Sequence, residues 1–93
     1  MIYIVFMLAF GGPGKTRLVH VPAKSRTREE LLEAIYHYGQ NDVQPDRHCC
    51  SVSVGDVIEL PIGGQAVFYR VTPDGFERVQ PTGFATREEL ANV

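Results

Sequence analysis

The residues with the strongest chemical signal form a glycine-rich segment near the N-terminus, residues 9–16 (AFGGPGKT). This segment nearly matches the phosphate-binding loop G-x-x-x-x-G-K-[ST], with Ala9 in place of the first glycine. In such a loop the backbone amides surround phosphate oxygens, Lys15 would contact the β- and γ-phosphates, and the Thr16 hydroxyl would hold Mg²⁺. A nucleotide-binding enzyme is therefore one hypothesis for this chain.

The residues that follow the glycines argue against a phosphate loop. That loop must open a helix whose N-terminus faces the phosphates. Here the segment from Arg17 to Pro22 alternates between polar and apolar residues, which is typical of a strand, and Pro22 would break a helix within two turns. We therefore expect a glycine-rich hairpin turn and an extended chain after Thr16.

Thiol and imidazole groups suggest a second kind of chemistry. His48 precedes the adjacent pair Cys49 and Cys50, and His20 and His37 lie elsewhere in the chain. Zinc sites usually separate their cysteines by two to four residues so that two thiolates reach one ion. Adjacent cysteines also do not suit the geometry of a normal disulfide. We expect free thiols in a reducing compartment, with no metal and no cofactor.

Acidic residues are plentiful but scattered, so they predict no catalytic pair. Asp56 follows Gly55 just before a predicted strand, a position typical of a residue that caps a turn. A Cys–His nucleophile would further need a positioned base and an oxyanion hole, which the sequence does not indicate. We therefore expect the protein not to be an enzyme.

The composition predicts a single small domain over residues 1–93, with 44% hydrophobic and 22% charged residues. The net charge is −2, yet residues 1–28 contain basic residues and no acidic ones. This stretch is either a solvated segment balanced by the following glutamates or a basic patch for phosphate or an acidic partner. Its basic residues are Lys15, Arg17, Lys24, Arg26 and Arg28.

The apolar N-terminal run, residues 2–10, predicts a buried strand. It is too short to cross a membrane as a helix and lacks the basic residues that begin a signal peptide. We expect a cytoplasmic protein with no membrane association. Val19 and its neighbours, residues 18–21, predict a second strand that completes an N-terminal hairpin.

Residues 28–38 predict the main helix. Thr27 and Glu30 form a capping box, in which each side chain bonds the backbone amide of the other residue. Apolar residues recur with helical spacing at Leu31, Ile35 and Tyr38. Gly39 is placed to end the helix in the left-handed conformation.

The rest of the chain predicts a polar loop and a three-stranded meander. Residues 40–50 form the loop, and strands are expected within 51–61, 65–71 and 76–80, with turns at 62–64 and 72–75. Thr86 opens a second capping box and a short C-terminal helix. The expected fold class is α+β, in which an antiparallel sheet, made of the N-terminal hairpin and this meander, packs on one main helix.

Three segments together resemble the small YodL-like domain family. They are residues 36–42 (YHYGQND), 51–60 (SVSVGDVIEL) and 66–76, which begins with AVFYRV and ends with the pair GF. Members of that family occur in phages, plasmids and other mobile elements, notably of actinobacteria. The resemblance implies an actinobacteriophage-type small protein in the cytoplasm of a bacterial host; it implies no mechanism, and it does not cover the N-terminal third. The start of the 55–58 strand also resembles small SH3-like and PUA-like β-barrels, many of which bind RNA, DNA or peptides.

Taken together, these patterns favour a non-enzymatic module that binds a host or phage protein. A small nucleic-acid-binding domain that uses residues 15–28 is the alternative, and the nucleotide-binding enzyme is a weaker one. An exposed sheet edge offers a further possibility, pairing with another chain or with a second copy as a homodimer. The candidate interaction surface consists of Lys15, Arg17, Lys24, Arg26, Arg28, Gln40, Asn41 and Asp42.

Overall fold

The computed structural model describes residues 1–11 and 15–80, which form one antiparallel sheet and one helix. The predicted α+β class, with an antiparallel sheet and one main helix, is confirmed. The C-terminal helix expected from Thr86 lies outside the described residues. The elements are β1 (Ile2–Phe6), β2 (Thr16–His20), α1 (Arg28–Tyr38), β3 (Val57–Ile62), β4 (Gln65–Thr72) and β5 (Gly75–Val79).

The five strands lie in the order β2-β1-β3-β4-β5, and every neighbouring pair is antiparallel. The pairing of β1 with β3, in which Val5 lies opposite Ile58, joins the N-terminal and C-terminal strands into one sheet. Between β3 and β4 the chain turns at Gly63 and Gly64, whose φ angles of 57° and 79° match a two-residue hairpin turn that favours glycine. β2 and β5 are therefore the two edges of the sheet.

The helix α1 has the predicted bounds and the predicted capping box. Glu30 N donates to Thr27 Oγ1 at 3.1 Å, and Thr27 N donates to Glu30 Oε1 at 2.8 Å. The hydrogen bond from the Thr27 amide holds the pKa of Glu30 below its usual value. These bonds satisfy amides that the first turn of a helix leaves unpaired.

Gly39 ends the helix, but the predicted left-handed conformation is wrong. Its φ and ψ angles are −80° and 4°. A Cβ atom at this position would lie 2.5 Å from Cγ2 of Val52, and the Gly39 carbonyl accepts a 3.0 Å hydrogen bond from Val52 N. The position requires glycine because the helix end touches the segment before β3, not because of its backbone angles.

The main core lies between α1 and one face of the sheet. The predicted alternation in β4 is confirmed, since Val67, Tyr69 and Val71 all face this core. Leu32 and Ile35 supply the buried residues of the helix. A smaller cluster of Phe6, Val57 and Phe68 is buried on the opposite face of the sheet. No helix among residues 1–11 and 15–80 has the length and apolar character needed to cross a bilayer.

Candidate interaction surface

The glycine-rich segment leads into a strand. Thr16–His20 pairs antiparallel with β1, which confirms that the chain is extended after Thr16. The carbonyl of Lys15 accepts a 3.0 Å bond from Met7 N, and Gly11 N donates to the Met7 carbonyl at 3.0 Å. Residues 12–14 lie outside the described part of the chain. Where the phosphate-loop hypothesis requires a helix N-terminus, the structure has an edge strand.

Arg17 is buried within the core side of the sheet, with 1% of its surface exposed. Its Nη1 donates to Asn41 Oδ1 and to the Cys50 carbonyl, both at 2.8 Å, and Nη2 donates to the Gln44 carbonyl. All three acceptors are uncharged oxygens of the loop formed by residues 40–50. Arg17 was predicted to contribute to a basic surface, and its burial corrects that expectation: it anchors the loop to β2.

The same loop is held by further bonds around Asn41. The Asn41 amide nitrogen Nδ2 donates to the Cys49 carbonyl at 2.9 Å, and Asn41 N donates to Ser51 Oγ at 2.8 Å. Asp46 accepts a 2.8 Å bond from His48 N, which lowers the pKa of the Asp46 carboxyl. These hydrogen bonds fix the conformation of the loop. Asn41, which the sequence predicts as part of the interaction surface, mainly holds the loop in place.

One face of this loop blocks the β2 edge of the sheet. Lys15 and Val21 hydrogen-bond to β1, so the alternating pattern turns the peptide groups of Thr16, Leu18 and His20 outward. At His20 the side-chain amide of Gln44 occupies the place of a neighbouring strand. His20 N donates to Gln44 Oε1 and Gln44 Nε2 donates to the His20 carbonyl, each at 2.9 Å.

At the other end of β2, the Cys49 thiol donates to the Thr16 carbonyl at 3.6 Å. Between these two contacts, and within residues 1–11 and 15–80, the outward peptide groups of Leu18 bond to nothing. A groove of about 530 Å³ lies here, bounded by β2 and by residues 44–46, 48 and 49 of the loop. Loop side chains thus bond to the β2 edge at both ends of this groove, at His20 and at Thr16.

At the opposite edge, β5, residues 1–11 and 15–80 provide no further strand. Thr72 and Gly75 close a two-residue turn, so Gly75, Glu77 and Val79 bond inward to β4. The peptide groups of Phe76 and Arg78 therefore point outward, and no described residue hydrogen-bonds to them. This edge carries a row of unpaired donors and acceptors, which is the template for adding another strand.

An apolar groove of about 280 Å³ lies between α1 and the start of β5. Phe76 and Pro73 line it from the hairpin, and Tyr36 lines it from the helix. Val54 is also part of its wall and is 49% exposed. The groove thus lies over β4 and the turn that leads into β5, on the side of Phe76 that faces β4.

Asp56 is a structural residue, as the sequence predicted. It is buried, and its carboxylate accepts bonds from Ala9 N at 2.9 Å and from Ser53 N at 2.8 Å. Gly55, with a φ angle of 100°, lets the chain turn before β3 and sends its N–H to the Val71 carbonyl at 2.9 Å. Burial raises the pKa of Asp56 against the effect of these amides.

The other predicted surface residues do not gather into one patch. Lys15 lies at the start of β2, whereas Lys24 and Arg26 lie near Glu30 at the start of α1. Arg26 Nη1 donates to the Pro22 carbonyl at 2.8 Å. Arg28 and Asp42 are exposed, and Gln40 Nε2 bonds the carbonyls of Tyr36 and Val52 at 2.8 and 2.9 Å.

The Cys49 thiol is partly buried, whereas Cys50 is exposed. Both thiols are free, and burial raises the pKa of Cys49. Among the described residues, His, Cys, Asp and Glu side chains do not converge in a group of three that could hold a metal ion.

The β5 edge and the groove beside it carry no sequence signal that marks them as an interaction surface. Val54 and Phe76 had been assigned to strands, and no composition signal separates an edge strand from a central one. Comparison with protein-family models, with curated proteins and with solved structures finds no match.

Proposed function

We propose that this protein is a non-enzymatic interaction module that binds an extended segment of another protein by strand addition to β5. The observation that carries the proposal is the contrast between the two sheet edges. The Gln44 side chain and Cys49 occupy the β2 edge, whereas the outward peptide groups of Phe76 and Arg78 stand beside an apolar groove.

Strand addition suits this arrangement because it separates affinity from specificity. Main-chain hydrogen bonds to an exposed edge provide binding that is independent of sequence, and adjacent pockets select the side chains. Here the partner strand would bond to Phe76 and Arg78 and place alternate side chains on the helix face of the sheet, next to the Phe76 ring.

The basic stretch gives weaker support to the nucleic-acid alternative. One of its five basic side chains, Arg17, is buried and donates to three oxygens of the loop. Lys24 and Arg26 lie close enough to Glu30 to lower its pKa, so part of their charge is compensated locally. Phosphate recognition favours cations that cluster on one face.

The setting of this function, a phage or mobile element in the bacterial cytoplasm, is proposed from the resemblance of residues 36–80 to the YodL-like family. The structure accounts for part of that pattern in physical terms. Ser53, Gly55 and Asp56 form the turn before β3, and Gly39 allows the helix end to approach Val52. These residues therefore maintain the fold and leave the binding specificity to the β5 edge.

Selection from a displayed library of random dodecapeptides tests the proposal. Enriched peptides are synthesised and titrated into ¹⁵N-labelled protein, and we expect the amide signals of Phe76 and Arg78 to shift most. Arg78→Pro removes an outward N–H together with the guanidinium and should abolish binding, whereas Arg78→Ala, which removes the side chain alone, should weaken binding by less than about fivefold. Leu18→Pro is the matched control, since it removes an outward N–H at the other edge, and it should bind normally. Peptides that bind Arg78→Pro as well as the unaltered protein would refute strand addition at β5.

A further inference from the structure

We propose that the β5 edge binds an extended segment of another protein, which pairs antiparallel with β5. In this segment an acidic, an apolar and a basic residue occupy alternate positions, in that order from the N-terminus of the segment. This inference rests on the function proposed above and adds the chemistry of the partner. It follows from the side chains that stand along the edge on the helix face of the sheet.

The face on which each partner side chain lies is fixed by the pairing. Directly opposed residues in neighbouring strands project to the same face. Phe76 packs against the core beneath α1, and Arg78 lies opposite Tyr69, which belongs to the same core. A partner residue opposite Arg78 therefore lies on the helix face, as does the residue two positions further, opposite Phe76.

Charge along this face changes sign from one end of β5 to the other. Arg78 has the uncharged Tyr69 as its neighbour on β4, so a partner carboxylate beside it would complete a charged cross-strand pair. At the start of β5, Glu33 lines the groove, and a Cβ atom built on Gly75 would lie 4.0 Å from Glu29 Oε1. A basic side chain at the position beyond Phe76 would meet these carboxylates.

Between the two charged ends lies the apolar groove. The partner residue opposite Phe76 would pack against the accessible part of its ring. An aromatic or large aliphatic residue fits this place, because cross-strand aromatic pairs stabilise strand pairing. The antiparallel direction follows the rest of the sheet, in which all four pairings are antiparallel.

A second copy of the chain has the same order of residue types, in Asp74, Phe76 and Arg78, but β5 offers it few residues for pairing. If two β5 strands pair about a twofold axis at Glu77, the two glutamates lie opposite each other, and an axis at Arg78 places the two arginines opposite each other. Both arrangements are unfavourable because like charges repel. An axis at Phe76 leaves few residues to pair, because the Pro73–Asp74 turn follows at once. The edge therefore favours a different chain over self-association.

Two nine-residue peptides of the same composition, TVDTFTKVT and TVKTFTDVT, test the inference. Their binding to ¹⁵N-labelled protein is followed at low salt by the NMR shifts of the Phe76 and Arg78 amide signals. Each opposite-charge pair adds about twofold to fivefold. We therefore expect the first peptide to bind about tenfold more tightly. Arg78→Glu should remove or invert this preference, whereas Arg47→Glu, the same change at an exposed loop residue, should preserve it.

The outcomes separate the inference from the function on which it rests. Equal binding of both peptides, or preference for TVKTFTDVT, would overturn the charge order while leaving strand addition in place. If neither these peptides nor the library-selected ones shift the two amides, the proposed function fails as well.

Discussion

The burial of Arg17 makes a quantitative prediction about what holds the 40–50 loop to the sheet. We consider two substitutions, Arg17→Lys and Arg17→Met. The guanidinium donates to three loop oxygens, on Asn41, Gln44 and Cys50. Lysine keeps the charge but presents it as a single ammonium group, which cannot reach all three acceptors in the geometry of a planar fork. Methionine removes both the charge and the donors.

The expected magnitudes follow from the number of bonds lost. A hydrogen bond to a charged group contributes about 1.5–3 kcal/mol, so loss of two of the three in Arg17→Lys destabilises the protein by about 3 kcal/mol. Arg17→Met loses all three but also removes a buried charge whose acceptors are uncharged, and relief of that desolvation penalty offsets part of the loss. We expect about 2 kcal/mol for methionine, and therefore a lower stability for lysine than for methionine.

Urea unfolding measures the free energies, and amide exchange localises the effect. The amides of Val43 and Gln44, which bond to the Gln40 carbonyl at 3.0 and 2.8 Å, should exchange faster in both variants. Arg47→Met, at an exposed position of the same loop, is the control and should change stability by less than about 0.5 kcal/mol. Wild-type stability in Arg17→Lys, or unchanged loop exchange in Arg17→Met, would refute the anchoring role.

Four further results are expected. Asp56→Ala leaves the partly buried amides of Ala9 and Ser53 without their acceptor and should destabilise the protein by about 2–4 kcal/mol in urea unfolding. Because burial raises the folded-state pKa of Asp56 above 3.8, its stabilising contribution relative to Asp56→Asn is greatest at low pH and should decline as the pH rises through that raised value. Gly39→Ala should cost about 1–3 kcal/mol, since the added methyl overlaps Val52, and an unaffected melting temperature would contradict the contact. Thr27→Ala should cost about 1 kcal/mol by thermal unfolding, and a loss of helix N-terminal amide protection should accompany it. Iodoacetamide, followed by mass spectrometry of the peptides, should alkylate Cys49 slowly at pH 7.5, and urea should abolish this protection.

Local features of the fold were predictable because their signals are local. The capping box of Thr27 and Glu30 and the apolar spacing of Leu31, Ile35 and Tyr38 define α1 to the residue. Pro22 and the alternation after Thr16 exclude a helix there, and the structure places β2 in that segment.

Features that depend on tertiary neighbours were not predictable. The reason for Gly39 is the approach of Val52, which is 13 positions away and visible only in three dimensions. Arg17 carried the same sequence signal as the exposed basic residues near it, yet it faces the core because β2 alternates and Val19 lies on that face. The strand order, and with it the identity of the open edge, depends on the pairing of β1 with β3, for which no local pattern exists.

The amide of Gln44 at His20 has a consequence for the number of chains that can assemble. A sheet with two available edges can accept a neighbour on each side and grow without limit into a fibre. Here the Gln44 side chain takes the place of a peptide group on one side of the sheet. If a strand adds to β5 as we propose, residues 1–11 and 15–80 offer no second free edge of the same kind, and we expect the complex to be finite.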